Sequence, residues 1–124
     1  MQNFDKEIHE EDFESSLEKL FWNTLMENNI KLPDENQKSI FDPINNAPYT
    51  RADFFYSPKL CVYIDGPPHD PNNFPKQHEK DNEITSELEI MGYDVFRIPL
   101  YNMDGAKEDI LPFLEKLKEK IDKL

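Results

Sequence analysis

Asp53 and Asp65 are the pair best placed by type and spacing to do chemistry, because each lies at the end of an apolar run, Phe54 to Tyr56 and Leu60 to Ile64, joined by Ser57, Pro58 and Lys59. Two such runs with a short link predict an antiparallel hairpin. If the turn registers Tyr56 against Val62, Asp53 lies directly across from Asp65, with Cβ atoms roughly 5 Å apart. Two ionised carboxylates that close repel by about 4 kcal/mol at an effective dielectric of roughly 20, so something must neutralise them. A divalent cation does this, since oxygen ligands from two acids hold Mg²⁺ while it accepts a phosphate oxygen. On spacing alone a plainer reading stays open, in which Asp53 starts a strand and Asp65-Gly66 is an Asp-Gly turn.

Other residues extend that pair. His69 follows the Gly66-Pro67-Pro68 break, four residues past Asp65, where an imidazole can move a proton or bind phosphate; an exposed loop histidine is the alternative. Glu18 can reach the sheet from the first helix, although Ser15-Ser16-Leu17-Glu18 also reads as a capping box in which Glu18 bonds back to the Ser15 amide. On a later helix Lys76, Gln77, Lys80 and Asp81 occupy the N-terminal turns, and Gln77, Asp81, Ile84 and Leu88 share a face. Lys80 can stabilise charge on a phosphoryl group, or be a solvated helix lysine. His9 and His78 have no evident partners, and Cys61, inside an apolar run, reads as core.

The elements that must position these residues follow from periodicity. Leu17, Leu20, Phe21, Thr24 and Leu25 predict a helix from Ser15 that Asn28, Asn29 and Pro33 end. Residues 30–50 read as a long irregular connection with one strand-like patch at Ser39, Ile40 and Phe41. The hairpin comes next, with both faces largely apolar, which predicts helices on both sides of the sheet. Alternation puts Asp53 and Phe55 on one face, Phe54 and Tyr56 on the other. A helix from Lys76 to Met91 stops at Gly92, and Val95, Phe96 and Ile98 make a strand. A final helix carries Ile110, Leu114, Leu117, Ile121 and Leu124, with Asp109 capping its first turn ahead of Pro112.

Composition bounds what this arrangement can be. The chain has 124 residues and a net charge of −12, enough for one domain, 15–124, behind an acidic extension, 1–14, in which Asp5, Glu7, Glu10, Glu11, Asp12 and Glu14 face only Lys6. Its longest apolar run is far below the roughly 20 residues of a membrane span, so a cytoplasmic protein that does not enter membranes is expected. A single Cys excludes an internal disulfide and a cysteine-rich zinc site, and three Gly leave no phosphate loop. An acidic chain does not grip DNA unaided. A carboxylate-pair hydrolase of sugars is a poor reading, because Trp22 is the only tryptophan to line a cleft.

The string RADFFYSPKLCVYIDGPPH, followed by QHEKDNEITSELEIMGYDVFRI, resembles the core of the PD-(D/E)XK nuclease superfamily, and within it the very-short-patch-repair (Vsr)-like endonuclease domains. The resemblance spans about residues 15–100. It implies an α/β, restriction-endonuclease-like αβββαβ core, a small mixed sheet flanked by helices, here with an extra C-terminal helix. Ser15-Ser16-Leu17-Glu18 resembles the first-helix motif with its active-site Glu. Arg51-Ala52-Asp53-Phe54 resembles the strand of the metal-binding Asp, and Val62 to His69 the second metal strand with the active-site His. Lys80-Asp81 and Gly92 to Arg97 resemble the basic helix and the strand after it. The chain departs from the pattern in two places. Tyr63 stands where many relatives place an acid, with no lysine following in the strand, and the cysteines of the Vsr-type structural zinc are missing. Lys80 or Lys76 would then replace the strand lysine, or His69 do its work.

The resemblance implies a Mg²⁺-dependent endodeoxyribonuclease, with Mn²⁺ able to substitute. Asp53 and Asp65 bind the metal, Glu18 completes or orients the site, His69 assists proton transfer and Lys80 supplies positive charge. DNA is the expected partner, gripped with help from basic neighbouring domains or a partner protein. The alternative is a catalytically inactive module of the same fold that serves in nucleic-acid or protein binding. Asp65→Ala is expected to abolish activity with little loss of fold.

Overall fold

A computed structural model describes residues 16–124; the acidic extension, His9 and the Ser15 cap lie outside the described residues. Helix α1 (Ser16–Glu27) is followed by strands β1 (Glu35–Phe41), β2 (Pro48–Tyr56) and β3 (Leu60–Asp65). Helix α2 (Pro75–Ile90), strand β4 (Asp94–Pro99) and helix α3 (Ala106–Asp122) complete the chain. The class is α/β, with a mixed four-stranded sheet in the order β1-β2-β3-β4. β1, β2 and β3 run antiparallel, and β4 lies parallel to β3 after the α2 crossover.

Both faces of the sheet are covered, as two apolar faces require. Leu17, Phe21 and Leu25 of α1 and Ile110, Leu114 and Leu117 of α3 pack on Phe54, Tyr56, Leu60, Val62, Phe96 and Ile98. On the other face Leu88 of α2 packs with Ile40, Phe55, Cys61 and Tyr63. Burying one such large apolar side chain contributes about 1.5–3 kcal/mol. Cys61 belongs to this core, and burial pushes its thiol up to about 12. Trp22 is core as well, packed on the Phe54 ring.

Two helices stop by the same device. Asn29 after α1 and Gly92 after α2 turn left-handed, at φ 56° and 98°. The next amides, of Ile30 and Tyr93, then return to the carbonyls of Leu25 and Leu88.

Three expectations need correction. Residues 35–41 form a full strand where an irregular connection with a short patch was expected, and β2 begins at Pro48, well before Phe54. β1 is an edge strand of sequence ENQKSIF with Ile40 alone fully buried, so it carries no alternating pattern to read. The hairpin pairs Tyr56 with Leu60 and Phe54 with Val62, a register two residues tighter than the one that sets Asp53 across from Asp65. Finally, α3 starts at Ala106, with Gly105 left-handed before it, so Asp109 lies within the helix and Pro112 is interior.

Candidate functional site

The ladder between β2 and β3 ends at Phe54 and Val62, and a cleft of about 610 Å³ opens where the two strands part. Asp53 accounts for that opening. Its Oδ2 accepts the Ile64 N–H at 2.7 Å, taking the bond a β2 carbonyl would otherwise receive. The pleat also breaks here: Ala52 and Phe55 pack on the α2 side, whereas Phe54 between them packs on the α1 side. Asp53 meets Glu18 of α1, so it parts from Phe55, with which strict alternation grouped it.

The cleft gathers side chains from separate elements. Glu18 comes from α1, Asp53 from β2, Asp65 from the end of β3, His69 from the turn after it and Lys80 and Asp81 from α2. All five residues singled out as catalytic from sequence therefore line one cavity. Lys76 and His78 do not line it.

One side of the cleft is a carboxyl pair. Glu18 is buried at 4% exposure, Asp53 is half-buried beside it, and Gln37 Nε2 donates to Glu18 Oε1 at 2.8 Å. Burial, then the Glu18 charge and hydrogen bond, push the Asp53 carboxyl up to about 8 against the lowering effect of the Ile64 amide. The raised pKa means that Asp53 holds its proton more readily than an exposed carboxyl does.

The other side is a network around Arg97. Its Nη1 donates to Asp65 Oδ1 at 2.9 Å, Nε to Thr85 Oγ1 at 2.7 Å and Nη2 to the Asp81 carbonyl at 3.2 Å. The guanidinium also lies over the Tyr63 ring, 4.2 Å from its centroid. Asp65 is buried, which raises its carboxyl pKa, while Arg97 and then His69 act to lower it. His69 approaches the same Oδ1, at 3.9 Å, and among the described residues no hydrogen bond reaches Oδ2.

His69 Nδ1 sits 2.6 Å from Asp81 Oδ2, and Gln77 Nε2 holds Asp81 Oδ1 at 2.9 Å. The Pro67–His69 turn, closed by the His69 amide on the Gly66 carbonyl, fixes the histidine backbone. A carboxylate on Nδ1 keeps that nitrogen protonated and leaves Nε2 to exchange a proton. Asp65, His69 and Asp81 each place a ligand atom within 4.8 Å of the others, a grouping able to hold a cation.

The comparisons add no relative to this geometry. No protein-family model, no curated protein and no solved structure matches the chain.

Sequence reasoning brought the acids and His69 into one site but missed how they are held. Asp81 was legible as a member of the α2 face with Gln77 and Ile84 and, with Arg97, as part of the motifs that resemble the basic helix and the strand after it, but neither was given its partner. Gln37 left no signal at all, sitting in a polar strand without pattern. Among the described residues no helix is long and apolar enough to cross a membrane.

Proposed function

We propose that this chain is a metal-dependent endonuclease domain of the PD-(D/E)XK, Vsr-like kind, hydrolysing DNA phosphodiester bonds as part of a larger DNA-processing or defence assembly. The observation that carries this reading is the meeting of Glu18, Asp53, Asp65 and Asp81 in one cleft beside His69 and Lys80. Four carboxyl groups around one opening make a place where positive charge is stabilised.

The donors suit Mg²⁺ or Mn²⁺. Asp53 and Asp65, which line the same cleft, would supply hard oxygen ligands with Glu18 completing or orienting the set, although among the described residues only Asp65, His69 and Asp81 already bring three ligand atoms within 4.8 Å of one another. Burial and the neighbouring Glu18 charge, which together raise the Asp53 pKa, disfavour an unpaired carboxylate there, and a cation beside Asp53 would offset both. A cation among Asp65, His69 and Asp81 would break the 2.6 Å His69–Asp81 bond, a cost that a cation at Asp53 and Asp65 does not carry. When bound, the metal supplies charge that polarises a phosphate.

The remaining work falls to the chain itself. His69, with its ring fixed by Asp81, takes or returns a proton through Nε2 at the attacking or leaving oxygen. Lys80, exposed at the cleft, adds positive charge where the phosphoryl group becomes more negative. A net charge of −12 leaves the gripping of a duplex to basic neighbouring domains or a partner protein.

The test is nicking of supercoiled DNA with Mn²⁺ by wild type, Asp53→Asn and the Glu18→Gln, Asp53→Asn double variant. Wild type should nick and the double variant should not. Nicking that survives in the double variant would overturn the assignment. A second reading, the inactive module, is favoured by the Asp65–Arg97 and His69–Asp81 pairs, which are complete without metal. It gains if calorimetry finds no millimolar Mn²⁺ binding that depends on Asp53.

A further inference from the structure

Among the described residues five adopt positive φ: Asn29, Gln37, Asn46, Gly92 and Gly105. Asn and Gly are the residues that enter the left-handed region at least cost. Gln37, at φ 52°, is the exception, a long side chain held in a conformation that most residues avoid. Strain of this kind persists where surrounding structure demands it and clusters at functional sites.

What the strain achieves is visible in the contacts. In the β1–β2 ladder Asn36 pairs with Phe54 and Lys38 with Ala52, which sets Gln37 at the level of Asp53. From there its Nε2 reaches across to Glu18 Oε1 at 2.8 Å. Helix α1, strand β1 and strand β2 thus meet at one buried carboxylate, which receives an amide donor from an edge strand otherwise poor in anchors. Were the turn alone required, Gly or Asn would satisfy it, as at the other four positions.

We propose that Gln37 is a positioning residue that orients the Glu18 carboxylate toward Asp53, and through it sets the affinity of the cleft for a divalent cation. The second clause rests on the nuclease reading above; the first does not. Residues that hold a metal site's ligands in place typically change affinity 10–100-fold when removed.

Gln37→Gly and Gln37→Asn test this, since both accept the left-handed backbone and neither side chain spans the distance to Glu18. Thermal melting should show both variants folded, since relief of the left-handed strain offsets the lost hydrogen bond to Glu18. In metal-free protein, three-bond couplings about the Glu18 side chain should report one rotamer in wild type and averaging in both variants. Calorimetric Mn²⁺ affinity should fall at least about tenfold in both. Unchanged couplings would overturn the orienting role, and averaged couplings with unchanged Mn²⁺ affinity would overturn the link to the cation. Wild type that binds no Mn²⁺, or Asp53→Asn that binds it equally well, would sink the nuclease reading and the link with it, while the couplings still judge whether Gln37 orients Glu18.

Discussion

The guanidinium of Arg97 reaches from β4 to Asp65 at the end of β3, Nη1 to Oδ1 at 2.9 Å, and so ties the two parallel strands together at the wall of the cleft. Both side chains are largely buried, at 17% and 9% exposure. Breaking a buried pair by removing one partner costs about 3–5 kcal/mol, because the other charge stays behind unpaired. Arg97→Ala also loses the Thr85 and Asp81 bonds and the Tyr63 stacking, so it should destabilise by at least that much in urea denaturation. Arg97→Lys keeps the charge without the planar fork and should fall between. The same logic reverses the expectation that Asp65→Ala is structurally mild, since it strands Arg97. A loss under about 1 kcal/mol in Arg97→Ala would show that the pair is a surface-like contact.

Under the nuclease reading proposed above, the His69–Asp81 pair is tested through rate. Asp81→Asn keeps the side chain's size and its place beside Gln77 but offers His69 a neutral partner. Replacing an orienting carboxylate so removes the preference for the tautomer with its free nitrogen at Nε2. Nicking should drop on the order of 10²–10⁴-fold, the range general acid–base catalysis contributes. His69→Gln should fall equally, and the double variant no further. Additive losses in single-turnover assays would show that the two residues act separately.

Elements with a buried face were legible in the sequence, and those without one were not. The helices and the β3 strand announce themselves through Leu17, Phe21 and Leu25, through Ile110, Leu114 and Leu117, and through an unbroken apolar run. β1 escaped because an edge strand of ENQKSIF buries little. The convergence of Glu18, Asp53, Asp65, His69 and Lys80 was readable because Glu18, Asp65, His69 and Lys80 lie at an element's end or in its first turns and Asp53 adjoins the apolar run of β2. Their pairing was not, since it depends on a hairpin register set by turn geometry and on a pleat broken at Asp53, neither of which hydrophobic pattern encodes.

Pro112 offers a test of the corrected helix boundary. It stands in the interior of α3, exposed, where it lacks the N–H that would bond to the Glu108 carbonyl. Were it at a first turn, replacing it would matter little. In the interior Pro112→Ala should stabilise by about 1–3 kcal/mol, read as a higher urea midpoint at unchanged slope. No gain would mean that the helix effectively starts near Asp109 in solution.

The Asp53 carboxyl makes the metal-free protein's stability depend on pH in a direction opposite to that of an ordinary surface acid. Its pKa rises from 3.8 to about 8 on folding, chiefly through burial and secondly through Glu18. Between those values the folded chain holds a proton that the unfolded chain has released. Stability is therefore fully present below about pH 4 and is lost as pH climbs toward 8. Asp53→Asn replaces the protonated acid with a neutral amide that still accepts the Ile64 N–H, so it removes this slope. In EDTA the variant should match wild type near pH 4 and exceed it at pH 8 by up to about 5 kcal/mol, the linkage equivalent of the rise from 3.8 to about 8. Saturating Mn²⁺ should reverse the ranking at pH 8, because the cation stabilises the ionised wild-type carboxylate and finds one ligand fewer in the variant. Parallel curves for the two chains across this range in EDTA would show that Asp53 is ionised throughout, and the crowding with Glu18 would then need another source of relief.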